Sequence, residues 1–161
     1  TPPPQARQTA NRASTCPDPR RVAPWFRAFN QRVVDHVYTT SNQQIQAFLR
    51  QGYRSEGTAA YIYPSQQRGT VPLFRLFSQR GTDHFYTTSV SERNSAQGQG
   101  YRSEGTTGFI FPNQNCGGVP LFRLFNPSRI DHFYTTSTSE RDNAARNGYN
   151  NEGITGYVYP F

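Results

Sequence analysis

The chain has 161 residues, the length of a single domain and enough to bury a sizeable core. Its 17 basic residues, all Arg, face 10 acids for a formal net charge of +7, but they are interleaved with Asp and Glu, which argues against a nucleic-acid-binding face. No apolar run approaches a membrane span, and 12 Phe, 10 Tyr and one Trp at regular spacing exclude a disordered chain.

Residues 1–21 read as an extended arm rich in Pro, Arg and Thr, poorly ordered except where Cys16 ties it down. The absence of Met marks Thr1 as the expected end of a processed chain. Two cysteines in a secreted product are expected to pair. Cys116 is equivalent by the 48-residue step to Arg20, four residues after Cys16, so a Cys16–Cys116 disulfide would staple the arm beside the last repeat.

From residue 22 onward the chain repeats every 48 residues without a gap. Asp35-His36, Asp83-His84 and Asp131-His132 mark the step, as do Glu56, Glu104 and Glu152, each followed by Gly. Arg27, Arg75 and Arg123 keep it too. The globular domain is therefore 22–161, in repeats 22–69, 70–117 and 118–161. In repeat 1, Ser41 and Gln44 open a short helix that Gly52 stops. In repeat 2, Ser89, Glu92 and Gly100 do the same. Repeat 3 shows the whole grammar. Val119 to Phe125 is a strand with its Pro near the start, Asn126 to Arg129 a turn, and Asp131 to Thr136 a second strand. Ser137 and Glu140 cap a helix ended by Gly148. Tyr149 to Glu152 and Gly156 to Tyr159 are two more short strands. The expected fold is mostly β, with one short helix and four strands per repeat, closed with three-fold symmetry; a β-trefoil fits best.

The sequence PLFRLFNPSRIDHFYTTSTSERDNAARNGYNNEGITGYVYP resembles a repeat family of secreted fungal and bacterial proteins catalogued as a domain of unknown function. The resemblance covers 22–161. Repeat 1 departs most, with Ala28, Val37 and Gln44 at otherwise repeated positions. The resemblance implies an extracellular, lectin-like module, often beside carbohydrate-active domains. Similar chains serve as non-catalytic small subunits of mushroom laccases.

The residues themselves set the chemistry. Neighbouring Asp and His point to opposite strand faces, so no Asp–His dyad is expected within a repeat. A metal site would need the three His to meet on the three-fold axis, and strand starts usually lie away from it; no metal or cofactor is expected. The expected role of each His is to pack on a Tyr and donate to a backbone carbonyl. Every acid and His recurs three times with the same neighbours, leaving no privileged catalytic set, so no enzyme is expected. Arg27, Arg75 and Arg123 lie mid-strand among apolar residues and are expected to be buried and paired with carboxylates. Tyrosines near acids are the better lead, because a sugar stacks its C–H face on a ring and hydrogen-bonds to Asp, Glu and Arg. The expected ligand-binding residues are Asp83, His84, Tyr86, Tyr101, Glu104, Asp131, His132, Tyr134, Tyr149 and Glu152. The reading is a secreted, non-catalytic module, monomeric or in a heterodimer, that binds glycans at up to three repeat-related sites. The alternative is an accessory subunit that stabilises a secreted oxidase.

Overall fold

The computed structural model describes residues 16–161, so most of the N-terminal arm lies outside the described residues. After a 3-10 turn at Pro19–Arg21, each repeat contributes two strands, a helix and a third strand. Repeat 1 holds β1 (Ala23–Asn30), β2 (Asp35–Thr39), α1 (Asn42–Arg50) and β3 (Arg54–Ile62). Repeat 2 holds β4 (Val71–Ser78), β5 (Asp83–Thr87), α2 (Val90–Gly98) and β6 (Arg102–Ile110). Repeat 3 holds β7 (Val119–Asn126), β8 (Asp131–Thr135), α3 (Thr138–Arg146) and β9 (Asn150–Val158).

Each repeat folds as a three-stranded antiparallel sheet with its first strand in the middle: β2-β1-β3, β5-β4-β6 and β8-β7-β9. The strand count differs from the four expected. The two last segments of each repeat join into one nine-residue strand, because the glycine between them (Gly57, Gly105 or Gly153, at positive φ) sits where the strand bulges without ending. Regular ladder pairing stays inside each repeat. Between repeats, among the described residues, the pairing is limited to isolated bridges, Tyr61 to Tyr159, Tyr63 to Phe109 and Phe111 to Tyr157.

The helices obey the expected signals. Ser41, Ser89 and Ser137 accept the N–H of Gln44, Glu92 and Glu140. Gly52, Gly100 and Gly148 follow each helix at φ of 100, 99 and 95°, the left-handed conformation that glycine adopts without a Cβ penalty.

The core gathers where β2, β5 and β8 meet on the axis. These strands have one edge in a ladder and the other facing inward, with N–H groups that no strand covers. Tyrosine hydroxyls of the neighbouring repeats cover them. Tyr86 Oη accepts the Tyr38 N–H at 2.7 Å and donates to the Tyr38 carbonyl at 2.8 Å. Tyr134 serves Tyr86 in the same way, and Tyr38 serves Tyr134, so the ring closes. The three rings pack edge to face at 5.3–5.4 Å, and Trp25 stacks on Tyr38 at 4.5 Å. All four side chains are fully buried. A disulfide joins Cys16 to Cys116, with Cα atoms 5.6 Å apart, and fastens the end of the arm to the turn before β7.

Candidate ligand pockets between the repeats

The residues that carry charge meet at the junctions between repeats. Asp35, Asp83 and Asp131, at the starts of the inner strands, are fully buried, and their oxygens approach within 4.8 Å of one another. The aspartates, not the histidines, are thus the side chains that converge. Each bonds the histidine of the next repeat: Asp35 takes the His84 backbone N–H at 2.9 Å and Nδ1 at 2.6 Å. Asp83 holds His132, and Asp131 holds His36, in the same way. Tyr53, Tyr101 and Tyr149 donate their hydroxyls to these aspartates. The Asp–His dyads absent within repeats therefore form between them. The rings of His36, His84 and His132 lie against Phe29, Phe77 and Phe125 at 4.4–4.6 Å, not against tyrosines, because Phe and His are cross-strand partners in each hairpin.

Arg75 is buried and Arg27 and Arg123 nearly so, and all three are paired, with partners from two repeats. Arg123 Nε lies 2.9 Å from Glu152 of its own repeat, and its other two nitrogens fork onto Glu92 of repeat 2 at 2.8 and 2.7 Å. Arg27 sits 2.8 Å from Glu56, off the hydrogen-bond axis, and forks onto Glu140 of repeat 3. Arg75 is 3.0 Å from Glu104 but meets a neutral partner across the junction, Gln44, at 3.1 Å. Burial opposes protonation of His84 and His132, but hydrogen bonds to aspartate and glutamate outweigh it and raise both above the ordinary histidine value. Hydrogen bonds from the arginine forks hold Glu92 and Glu140 below the usual carboxylate range.

Two junctions leave an open pocket above this network. The pocket between repeats 2 and 3 has a volume of about 270 Å³ and that between repeats 3 and 1 about 250 Å³. Seven wall positions are identical, Phe85 and Phe133, Glu92 and Glu140, Ala96 and Ala144, Tyr101 and Tyr149, Arg123 and Arg27, His132 and His36, Glu152 and Glu56, while Ser95 and Gln99 give way to Asn143 and Asn147. In each the guanidinium stacks over the phenylalanine ring at 5.0 Å. The junction of repeats 1 and 2 is different. Phe48 stands where Ala96 and Ala144 stand, and its ring packs edge-on against Tyr53 at 5.2 Å and His84 at 5.6 Å. Val37, where the other repeats have Phe, makes room for it. The ring fills the space that is open at the other two junctions.

A domain of unknown function (DUF5648) matches residues 9–159. The chain belongs to the DUF5648 family. No curated protein and no solved structure gives a significant match.

This DUF5648 domain separates the sequence-predicted residues into three groups. Glu152, His132, Tyr101 and Tyr149 line the two open pockets. Tyr86, Tyr134, Asp83 and Asp131 are 0% exposed, with every polar atom committed to the axis or to the junction dyads, so none can touch a ligand. His84 and Glu104 belong to the junction that Phe48 fills. Sequence reasoning missed Arg27, Arg123, Glu92 and Glu140 as pocket walls, as well as the alanines that leave space. The missing signal was the contrast of Phe48 with Ala96 and Ala144 at one repeat position.

Proposed function

We propose that this chain is a secreted, non-catalytic carbohydrate-binding module with two sites, one in each open junction pocket. The observation that carries this reading is the pair of matched pockets, each with an aromatic wall, two fixed carboxylates and a fixed guanidinium. Preset polar groups beside a ring are what a neutral pyranose needs, because its hydroxyls pair with the carboxylate and arginine while its C–H face covers the phenyl edge. The volumes fall below the roughly 300–1,000 Å³ of sites for drug-sized ligands, which suits one sugar ring. Two glutamates face one arginine in each pocket, so neither pocket carries excess positive charge and an anionic ligand is disfavoured. Affinity per site is expected at about 0.1–1 mM, and two sites on one body give avidity for clustered glycans. A disulfide suits an oxidising compartment.

The test copies the natural plug. Ala96→Phe and Ala144→Phe place the Phe48 side chain in the open pockets without altering a charged residue, and urea unfolding of the variants checks that Phe85 and Phe133, which stand where repeat 1 has the smaller Val37, leave it room. A glycan array supplies the sugar, and calorimetry counts the sites. Each single variant is expected to lose one of two sites, and the double variant both. A double variant that binds as the unaltered chain does would refute the pocket assignment. An array on which no neutral glycan binds would favour the accessory-subunit reading.

A further inference from the structure

The opposite edge of each hairpin carries a second repeat asymmetry, in charge. In repeat 2 a groove of about 440 Å³ runs between the hairpin turn and the end of α2, lined by Phe77, Gln79, Arg80, Gly100 and Arg102. The corresponding groove in repeat 1 contains Arg32 and Arg54 beside Phe29, and at its margin Glu56, whose carboxylate faces Arg27 at 2.8 Å. Register explains the pairing. Arg102 lies directly across from Phe77 in the sheet, and Arg54 across from Phe29. In repeat 3 the two arginine positions are Ser128 and Asn150, and Arg129 falls one position further along the turn. All four groove arginines are exposed, and none is in an ion pair among the described residues. That sets them apart from Arg27, Arg75 and Arg123, whose charges are consumed by glutamates. Gly100 keeps the groove open, since a Cβ there would meet nothing within 4 Å and its φ of +99° discourages a larger residue.

We propose that these two grooves bind the carboxylates of an acidic polysaccharide, through arginines that line neither junction pocket, although the repeat 1 groove borders the repeat 3–1 pocket at Glu56. Two exposed guanidiniums lining one groove suit planar anions, which arginine grips by paired N–H donors. An aromatic ring beside them offers a face to the sugar that carries the anion, which a plain acidic peptide would not use. The same pair in two repeats and not in the third gives two anchoring points on one body, which lets a repeating polyanion engage both. The net charge of +7 adds long-range attraction, but the site is local.

The experiment compares retention on immobilised polygalacturonate in a salt gradient. Replacing Arg32, Arg54, Arg80 and Arg102 together by Gln is expected to weaken binding about tenfold or more, because charge-assisted forks are lost. A control that replaces Arg50, Arg68, Arg129 and Arg146 by Gln makes the same change in net charge and is expected to change binding less than twofold. Equal losses in the two variants would overturn the site, leaving only net charge. Polyglutamate held as tightly as polygalacturonate would overturn the carbohydrate class. The Ala96→Phe, Ala144→Phe variant is expected to bind polygalacturonate unchanged, so failure of the junction pockets and failure of these grooves read out separately.

Discussion

Tyr86→Phe removes one oxygen from the axis and nothing else. That oxygen accepts the Tyr38 N–H at 2.7 Å and donates to the Tyr38 carbonyl at 2.8 Å, both on the inner edge of β2 where no strand can replace it. The carbonyl keeps a long contact from Arg75 at 3.4 Å, but the N–H is left bare in a fully buried site. An orphaned buried donor costs about 1–3 kcal/mol and a lost neutral bond about 1 kcal/mol. The expected loss is therefore about 2–4 kcal/mol in total. The assay is equilibrium urea unfolding with the disulfide intact, beside Tyr157→Phe, whose hydroxyl makes no hydrogen bond among the described residues and which should stay within about 0.5 kcal/mol. A Tyr86→Phe loss below about 0.5 kcal/mol would show that the hydroxyl ring does not hold the three inner strands together.

Further outcomes follow from the same network. Arg123→Ala leaves Glu92 and Glu152 without their cation and should cost about 3 kcal/mol by urea unfolding. A Cβ at Gly156 would lie 2.5 Å from Ile110 Cδ1 and 2.9 Å from the Phe111 carbonyl, whereas repeat 1 carries Ala60 and the counterpart of Ile110 is the shorter Val158. Gly156→Ala should cost about 1–3 kcal/mol, and adding Ile110→Val should recover part of it, a less-than-additive cycle. The raised His84 and His132 stabilise the fold fully below the unfolded histidine pKa of about 6.5, and this contribution fades as pH rises through their folded values. The lowered Glu92, Glu104, Glu140 and Glu152 act in the other direction, losing their contribution as pH falls below about 4.3. Thermal midpoints should thus peak between those limits, and a curve still rising above pH 8 would contradict the dyads. Reduction of Cys16–Cys116 removes a link enclosing about 100 residues, worth up to about 4–5 kcal/mol, and should lower the midpoint without abolishing the fold.

The repeat, its helix caps and the buried arginines were legible because each has a local cause: a fixed step, a Ser three residues before an acceptor, a charge inside an apolar strand. The junctions were not. Asp83 and His132 are 49 residues apart, and nothing local says that one repeat's acid faces the next repeat's histidine. Glu92 and Glu140 were hidden by a correct reading. They sit at the capping-box position, yet their side chains turn to Arg123 and Arg27 and to the hydroxyls of Thr87 and Thr135, not back to the cap. Tyr86 and Tyr134 read as sugar platforms because nothing local shows that the inner strands lack a neighbour on their axis-facing edge. Once three bare strand edges meet on an axis, the tyrosine hydroxyl is the group that satisfies them.

The two-site claim is tested most directly by a crystal structure of the chain soaked with the monosaccharide that the array selects. The account predicts one pyranose in the pocket walled by Phe85, Glu92 and Glu152 and another in the pocket walled by Phe133, Glu140 and Glu56, each hydrogen-bonded to the junction glutamates, with Phe48 in place at the third junction. A sugar bound elsewhere while both pockets stay empty, or one that displaces Phe48 to occupy all three junctions, would contradict it.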